Sequence, residues 1–180
     1  MAESNRFGIV STTDMYYELD GMVEAILEGG AKNNISRAVA CSDETDLWRL
    51  ESAAEMKATY QAYNGAGDGR IKVDMSLHAE YTSTPKIVKQ LAEYAKELQA
   101  HMHVHVSETK LEHDQCKERH GMTPAAYLSC QGLFDVPTTA AHCVWLEEGD
   151  FNILKEKGVT VASNPVSNMK LASGVCNVPK

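Results

Sequence analysis

Strands alternating one for one with helices predict an α/β fold whose strands run parallel. Three observations carry that prediction. Short β-branched runs recur along the chain, each but the last is followed by a stretch of helical period, and the resulting units measure about 30 residues, the length of a right-handed crossover that delivers a parallel neighbour. Six strands are counted in this way. Periodicity leaves open whether they form an open doubly wound sheet or a (β/α) barrel.

The first strand is predicted at Gly8 to Asp14 (GIVSTTD), followed by a helix over Glu18 to Leu27 that Gly29 and Gly30 close. Ile35 to Cys41 is the second strand. Leu47 to Tyr63, rich in Ala, Glu, Met and Lys, reads as a helix, and Asn64, Gly65, Gly67 and Gly69 break it before the third strand, Ile71 to Leu77. Thr84 and Pro85 open the next helix, in which Ile87, Leu91, Tyr94, Ala95 and Leu98 fall at helical spacing and form one inward stripe. His101 to Ser107 alternates as a strand. Helices over Leu111 to Arg119 and Thr123 to Cys130 follow, then the strand Thr138 to Cys143, a helix near Glu147 to Lys157, and the strand Val159 to Ser163. No repeat, low-complexity tract or linker divides the 180 residues, so a single domain is expected.

Composition narrows the function. At 43 % apolar and 23 % charged the chain can build a core. Its 25 acidic against 17 basic residues, a net charge of −8, count against nucleic acid and anionic membrane surfaces, which draw their affinity from Lys and Arg. No apolar run approaches the roughly 20 residues that span a bilayer, and MAESNRFGIV has neither a basic leader nor an apolar core. Five cysteines, odd in number, widely spaced and without a C-x-x-C pair, suit free thiols in a reducing compartment, so the cytoplasm is expected.

The chemistry is expected at the C-terminal strand ends, where both architectures place it. His78 ends the third strand (SLHAEYTSTP), His105 and Glu108 the fourth (HVHVSET) and His142 the fifth (AAHCVWL), while Asn164, Asn168 and Lys170 follow the sixth (SNPVSNMKLASG). His78, His105, Glu108, His142 and Asn164 are expected to line one mouth. His101, His103 and His105 share one face of their strand. Side chains two residues apart on a strand stand about 7 Å apart and do not converge, so the three are not read as a metal site. His101 and His103 are read as lower-layer or structural residues. The mixed-sign run LEHDQCKERHG is read as a solvated helix face carrying His113 and His120.

VHVSET, AAHCVWL and SNPVSNMKLASG, in that order, resemble the metal-dependent amidohydrolase superfamily, and within it the branch of chlorohydrolases and of S-adenosylhomocysteine and 5′-methylthioadenosine deaminases. The resemblance runs from GIVSTTDMYY through nearly the whole chain and implies a (β/α)8 TIM-type barrel. It implies zinc or a similar divalent metal, a small N-heterocyclic substrate and hydrolysis of a carbon–nitrogen bond other than a peptide bond. On this resemblance His105 is a metal ligand, Glu108 the proton shuttle, and His142 the residue that contacts the metal-bound water or the metal. His78 matches a substrate-contacting histidine in a motif usually written H-A-P-Y, with Glu80 standing where the motif has proline. Arg49, in RLESA, and Asn164 are the further substrate-binding candidates.

The family's His-x-His pair and final aspartate have no counterpart, since no histidine precedes His78. The resemblance therefore implies an incomplete barrel, strands two to seven of eight. Two expectations follow: weak or no metal binding, with no deaminase activity, in the isolated chain, and a homo-oligomer through two open sheet edges. The alternatives are a non-catalytic structural or ligand-binding module derived from that barrel and an open-sheet α/β binding domain.

Overall fold

The computed structural model describes residues 2–17, 19 and 21–178. A short helix, α1 (Ala2–Arg6), leads into β1 (Ser11–Tyr16), α2 (Met22–Gly29) and β2 (Lys32–Arg37). A 3-10 turn at Leu47–Arg49 precedes α3 (Glu51–Tyr63) and a short turn, α4 (Ala66–Gly69), which enter β3 (Ile71–Val73) and β4 (Met75–Leu77). After a 3-10 turn at Glu80–Thr82 come α5 (Pro85–Leu98), β5 (Met102–Val106), α6 (Lys110–His120) and α7 (Pro124–Cys130). A 3-10 turn at Leu133–Asp135 leads to β6 (Thr138–His142), α8 (Glu148–Glu156), β7 (Thr160–Ala162) and α9 (Pro165–Lys170).

Every strand pairing is parallel, in the orders β1-β2-β3 and β4-β5-β6-β7. The predicted third strand is divided at Asp74, its first half pairing with β2 and its second with β5. Beyond β2 the chain spans the division: Val39 bridges Leu77, donating its N–H to Ser76 O at 2.9 Å and accepting from His78 N at 2.9 Å. Strand order in space thus follows strand order in sequence. A doubly wound sheet reverses its order at a switch point; this curved wall does not, and it is an incomplete (β/α) barrel with β1 and β7 at its edges. No helix among the described residues is long and apolar enough to cross a membrane.

Alternation along the strands separates two environments. Met75, Leu77, Met102, Val104, Val106 and Ala140 are buried in one core with Ile87, Val88 and Leu91 of α5, Leu128 of α7 and Leu154 of α8. The opposite face carries Asp74, Ser76 and His78 beside His101, His103 and His105, in the register that pairs Ser76 with His103. Local signals fix the helices that back this wall. The side chain of Thr84 caps α5 by accepting from Ile87 N at 3.4 Å, Pro85 opens it, and Gln99, at φ 51°, ends it. Leu91, the fully buried leucine of α5, adds about 1.5–3 kcal/mol.

Several boundaries differ from expectation. The first strand starts and ends later than predicted, and the second lies at Lys32–Arg37, because its pairing with β1 is set there by register and only Val39 of the later residues bridges. The helix predicted from Glu18 begins at Met22, and Glu18 lies outside the described residues. α1 and α9 carry no strong periodicity and were not expected. The run Leu111 to Gly121 is not a solvated face: Glu112, His113 and Cys116 are buried, and His120 is partly covered against Glu80.

Candidate active site

Three histidines converge at the C-terminal strand ends. The His105 ring lies 5.2 Å from that of His78 and 5.3 Å from that of His142, centroid to centroid. The strands place them there, and the following backbone turns sharply: Ser107 (φ 47°), His142 (φ 71°) and Cys143 (φ 49°) are non-glycine residues in the left-handed region. Such conformations cost about 1–3 kcal/mol each and persist where the surroundings enforce them.

The rings share one orientation rule. His105 Nδ1 sits 2.6 Å from His78 O, and a carbonyl only accepts, so Nδ1 carries the proton. His142 Nδ1 likewise donates to Asn168 Oδ1 at 2.8 Å, and Asn168 is buried. Thr82 Oγ1 donates its proton to Ala79 O and therefore accepts from His78 Nδ1 at 2.9 Å. In all three rings the Nδ1–H is occupied, which leaves Nε2 to bind a metal, a proton or a ligand. Burial lowers the pKa of His78 and His105 and pushes His103 down to about 4, so these rings stay neutral near pH 7.

Glu108 enters from the loop after β5, its Oε1 3.5 Å from His142 Nε2. That loop is tied by the buried carboxylate of Glu112, which accepts from Ser107 N at 3.0 Å, Glu108 N at 2.8 Å and Thr109 N at 3.4 Å. Ser107 O accepts from Val144 N at 3.1 Å and Trp145 N at 3.0 Å, so the loops after β5 and β6 are locked together. His113 spans them a second time, with Nδ1 3.2 Å from Ser107 Oγ and Nε2 3.2 Å from a Glu147 carboxylate oxygen. Burial raises Glu112 to about 7 against the opposing effect of its backbone donors.

Of the residues singled out from the sequence, His78, His105, Glu108 and His142 come together. Asn164, at the start of α9, shares a cavity of about 430 Å³ with His142 and one of about 170 Å³ with His103, His105, Thr13 and Met15. Arg49 lies exposed at the end of the Leu47–Arg49 turn and, among the described residues, makes none of the contacts that tie the histidine cluster together. A wider cavity, about 480 Å³, lies between Tyr17, Arg37 and α3, apart from the histidines. Sequence reasoning assigned no role to Thr82, Glu112 or Asn168, which orient or tie the site residues. Asn168 stood out only as one of the polar residues after the last strand, and Glu112 had a readable signal in the Thr109-x-x-Glu112 capping box, both of whose reciprocal bonds form.

The described residues offer only part of a metal's donor set. Among the described residues no group of three or more His, Cys, Asp or Glu could hold a metal ion, whereas a catalytic zinc takes three protein ligands and a water. His105 offers one free Nε2.

Comparisons with known proteins identify the family and the fold. A 5-methylthioadenosine/S-adenosylhomocysteine deaminase of Caldanaerobacter subterraneus subsp. tengcongensis is 39 % identical over 180 residues, all of this chain and 41 % of the relative. A 5′-deoxyadenosine deaminase of Methanothermobacter thermautotrophicus is 37 % identical over 99 % of this chain and 42 % of the relative. The crystal structure of an adenosine deaminase from Xanthomonas campestris with bound zinc superposes with a TM-score of 0.85 at 26 % identity, over 97 % of this chain and 40 % of that one. The chain thus spans about two-fifths of the length of these relatives. The amidohydrolase family model matches residues 2–180. With its parallel barrel wall and its strand-end histidines, the chain belongs to the amidohydrolase family.

Proposed function

We propose that the chain forms the substrate-binding and proton-transfer part of a metal-dependent hydrolase of carbon–nitrogen bonds, a deaminase of adenosine-type or other small N-heterocyclic substrates. The observation that carries this reading is the grouping of Glu108 with His142 and the free Nε2 atoms of His78 and His105. Glu108 takes a proton from the attacking water and returns it to the departing amine, so the ring carbon gains oxygen and ammonia leaves. His142 holds the water by Nε2, with Glu108 alongside. His78 Nε2 faces the substrate ring, and Asn164 and Arg49 are assigned to the substrate's periphery.

His105 is assigned one coordination position on zinc or a similar divalent metal. Since the described residues do not complete the shell, the isolated chain binds metal weakly or not at all and is inactive. The edges β1 and β7 pair with further copies, giving a homo-oligomer. The acidic balance and free cysteines support a cytoplasmic protein without nucleic-acid or membrane partners.

The test is a chimera in which residues 2–180 replace the matching segment of the Caldanaerobacter deaminase. Release of ammonia from 5′-methylthioadenosine is the expected result. A folded, zinc-loaded chimera that releases none would refute the assignment.

A further inference from the structure

The 3-10 turn after His78 carries an unusual feature. Glu80 is only 3 % exposed, yet its carboxylate is gripped from α6 by two residues. Arg119 presents a fork, Nε at 3.2 Å from Oε1 and Nη2 at 2.6 Å from Oε2, and His120 Nε2 lies 2.8 Å from Oε1. His120 is itself held, stacked on the Tyr127 ring at 4.0 Å and 15°. A carboxylate taken out of water needs such partners, and a forked guanidinium fixes direction as well as charge.

The position of this clamp gives it a consequence. Two residues beyond Glu80, in the same turn, Thr82 Oγ1 accepts from His78 Nδ1 and donates to Ala79 O. Thr82 O in turn accepts from Cys41 N at 2.8 Å. The hydroxyl that sets the His78 ring therefore belongs to a turn whose one buried charge is anchored to the last turn of α6. The first turn of the same helix holds the Glu108 loop through Glu112. One helix thus sets the geometry of both loops.

We propose that Glu80 is a positioning residue: clamped by Arg119 and His120, it holds the Glu80–Thr82 turn so that Thr82 keeps His78 in the Nδ1–H form with Nε2 directed at the site. The inference rests on the deaminase reading only for the substrate-binding role of His78. The arrangement of turn, ring and helix stands apart from it.

The test reads the His78 ring directly, by two-bond 1H–15N correlation on the 15N-labelled full chain at pH 7.5. The wild-type ring gives the pattern of a single Nδ1-protonated tautomer. In Glu80→Ala that pattern collapses toward the tautomer average, and in Glu80→Gln, which keeps an oxygen acceptor for the α6 donors, it is retained. Arg119→Met, made at a partly exposed side chain, moves the signals in the same direction as Glu80→Ala and carries the test if Glu80→Ala does not fold. A His78 pattern unchanged in Glu80→Ala or Arg119→Met, with β5 and β6 amide signals intact, overturns the proposal, because a merely structural ion pair would lower stability and leave the ring alone. The readout needs no turnover: an inactive, zinc-loaded chimera beside a normal His78 pattern in the chain speaks against the deaminase reading and not against the clamp.

Discussion

His142 Nε2 lies 3.5 Å from Glu108 Oε1, a contact made between the ends of two neighbouring strands. The pair is held from behind on both sides. Asn168 fixes the histidine, and three backbone N–H groups of the glutamate's loop donate to Glu112. A water between them would meet a base and an orienting ring already in place, without reorganisation at the moment of reaction.

Glu112 and His103 make opposite contributions to stability against pH. The Glu112 carboxyl is raised by burial from 4.5 to about 7, so the folded state binds its proton more tightly than the unfolded state does. Its stabilising contribution is full below 4.5 and lost as pH rises through 7. The His103 ring is lowered from 6.5 to about 4, so it favours the unfolded state as pH falls through that window. Each effect is on the order of 3 kcal/mol, and between pH 4.5 and 6.5 they largely cancel. Urea unfolding is expected to show stability falling on acidification in Glu112→Gln and rising in His103→Met. Parallel slopes in the two variants would contradict this.

The α5 stripe supplies a stability test remote from the site. Leu91 is fully buried, and Leu91→Ala is expected to cost about 2–5 kcal/mol through lost transfer free energy and the cavity left behind. A shift of less than about 1 kcal/mol in denaturant unfolding would mean that α5 does not pack on the β4–β5 wall as described.

The sheet edges make a prediction about assembly. Val161 on β7 is 41 % exposed, and Val166 and Met169 on the adjoining α9 are more so. Sedimentation is expected to show self-association that Val161→Lys weakens, since a lysine on an edge strand opposes pairing. A monodisperse monomer for the unmodified chain would remove the edge-pairing proposal.

Metal content checks the donor set. With His105 as its one assigned ligand, the purified chain is expected to carry well below one zinc per chain by elemental analysis after dialysis. Stoichiometric zinc retained through dialysis would show that the shell is more complete than the described residues make it.

Much of the fold is legible in the sequence because its signals are local. Thr84-Pro85 opens α5, the Thr109-x-x-Glu112 box opens α6, and the alternation of Met102 to Val106 marks β5. The candidate residues stand out in the sequence because histidines and a glutamate recur at strand ends, and His78, His105, Glu108 and His142 come together there. The choice of barrel over open sheet, which periodicity could not make, comes from the family resemblance of the strand-end motifs, and the strand order agrees with it. Tertiary partners were equally hidden. The mixed charges of Leu111 to Gly121 look solvated, yet Glu112, His113 and His120 turn inward to Ser107, Glu147 and Glu80, contacts that sequence spacing cannot express. The same holds for Asn168, whose amide finds His142 across 26 residues.

The most direct measurement is the turnover of 5′-methylthioadenosine by the chimera carrying residues 2–180, with and without Glu108→Gln. Glu108→Gln keeps the shape and removes the proton carrier, so kcat is expected to fall by roughly 10²–10⁴ with KM nearly unchanged. A Glu108→Gln chimera as fast as its parent would contradict the central claim that this carboxylate moves the proton.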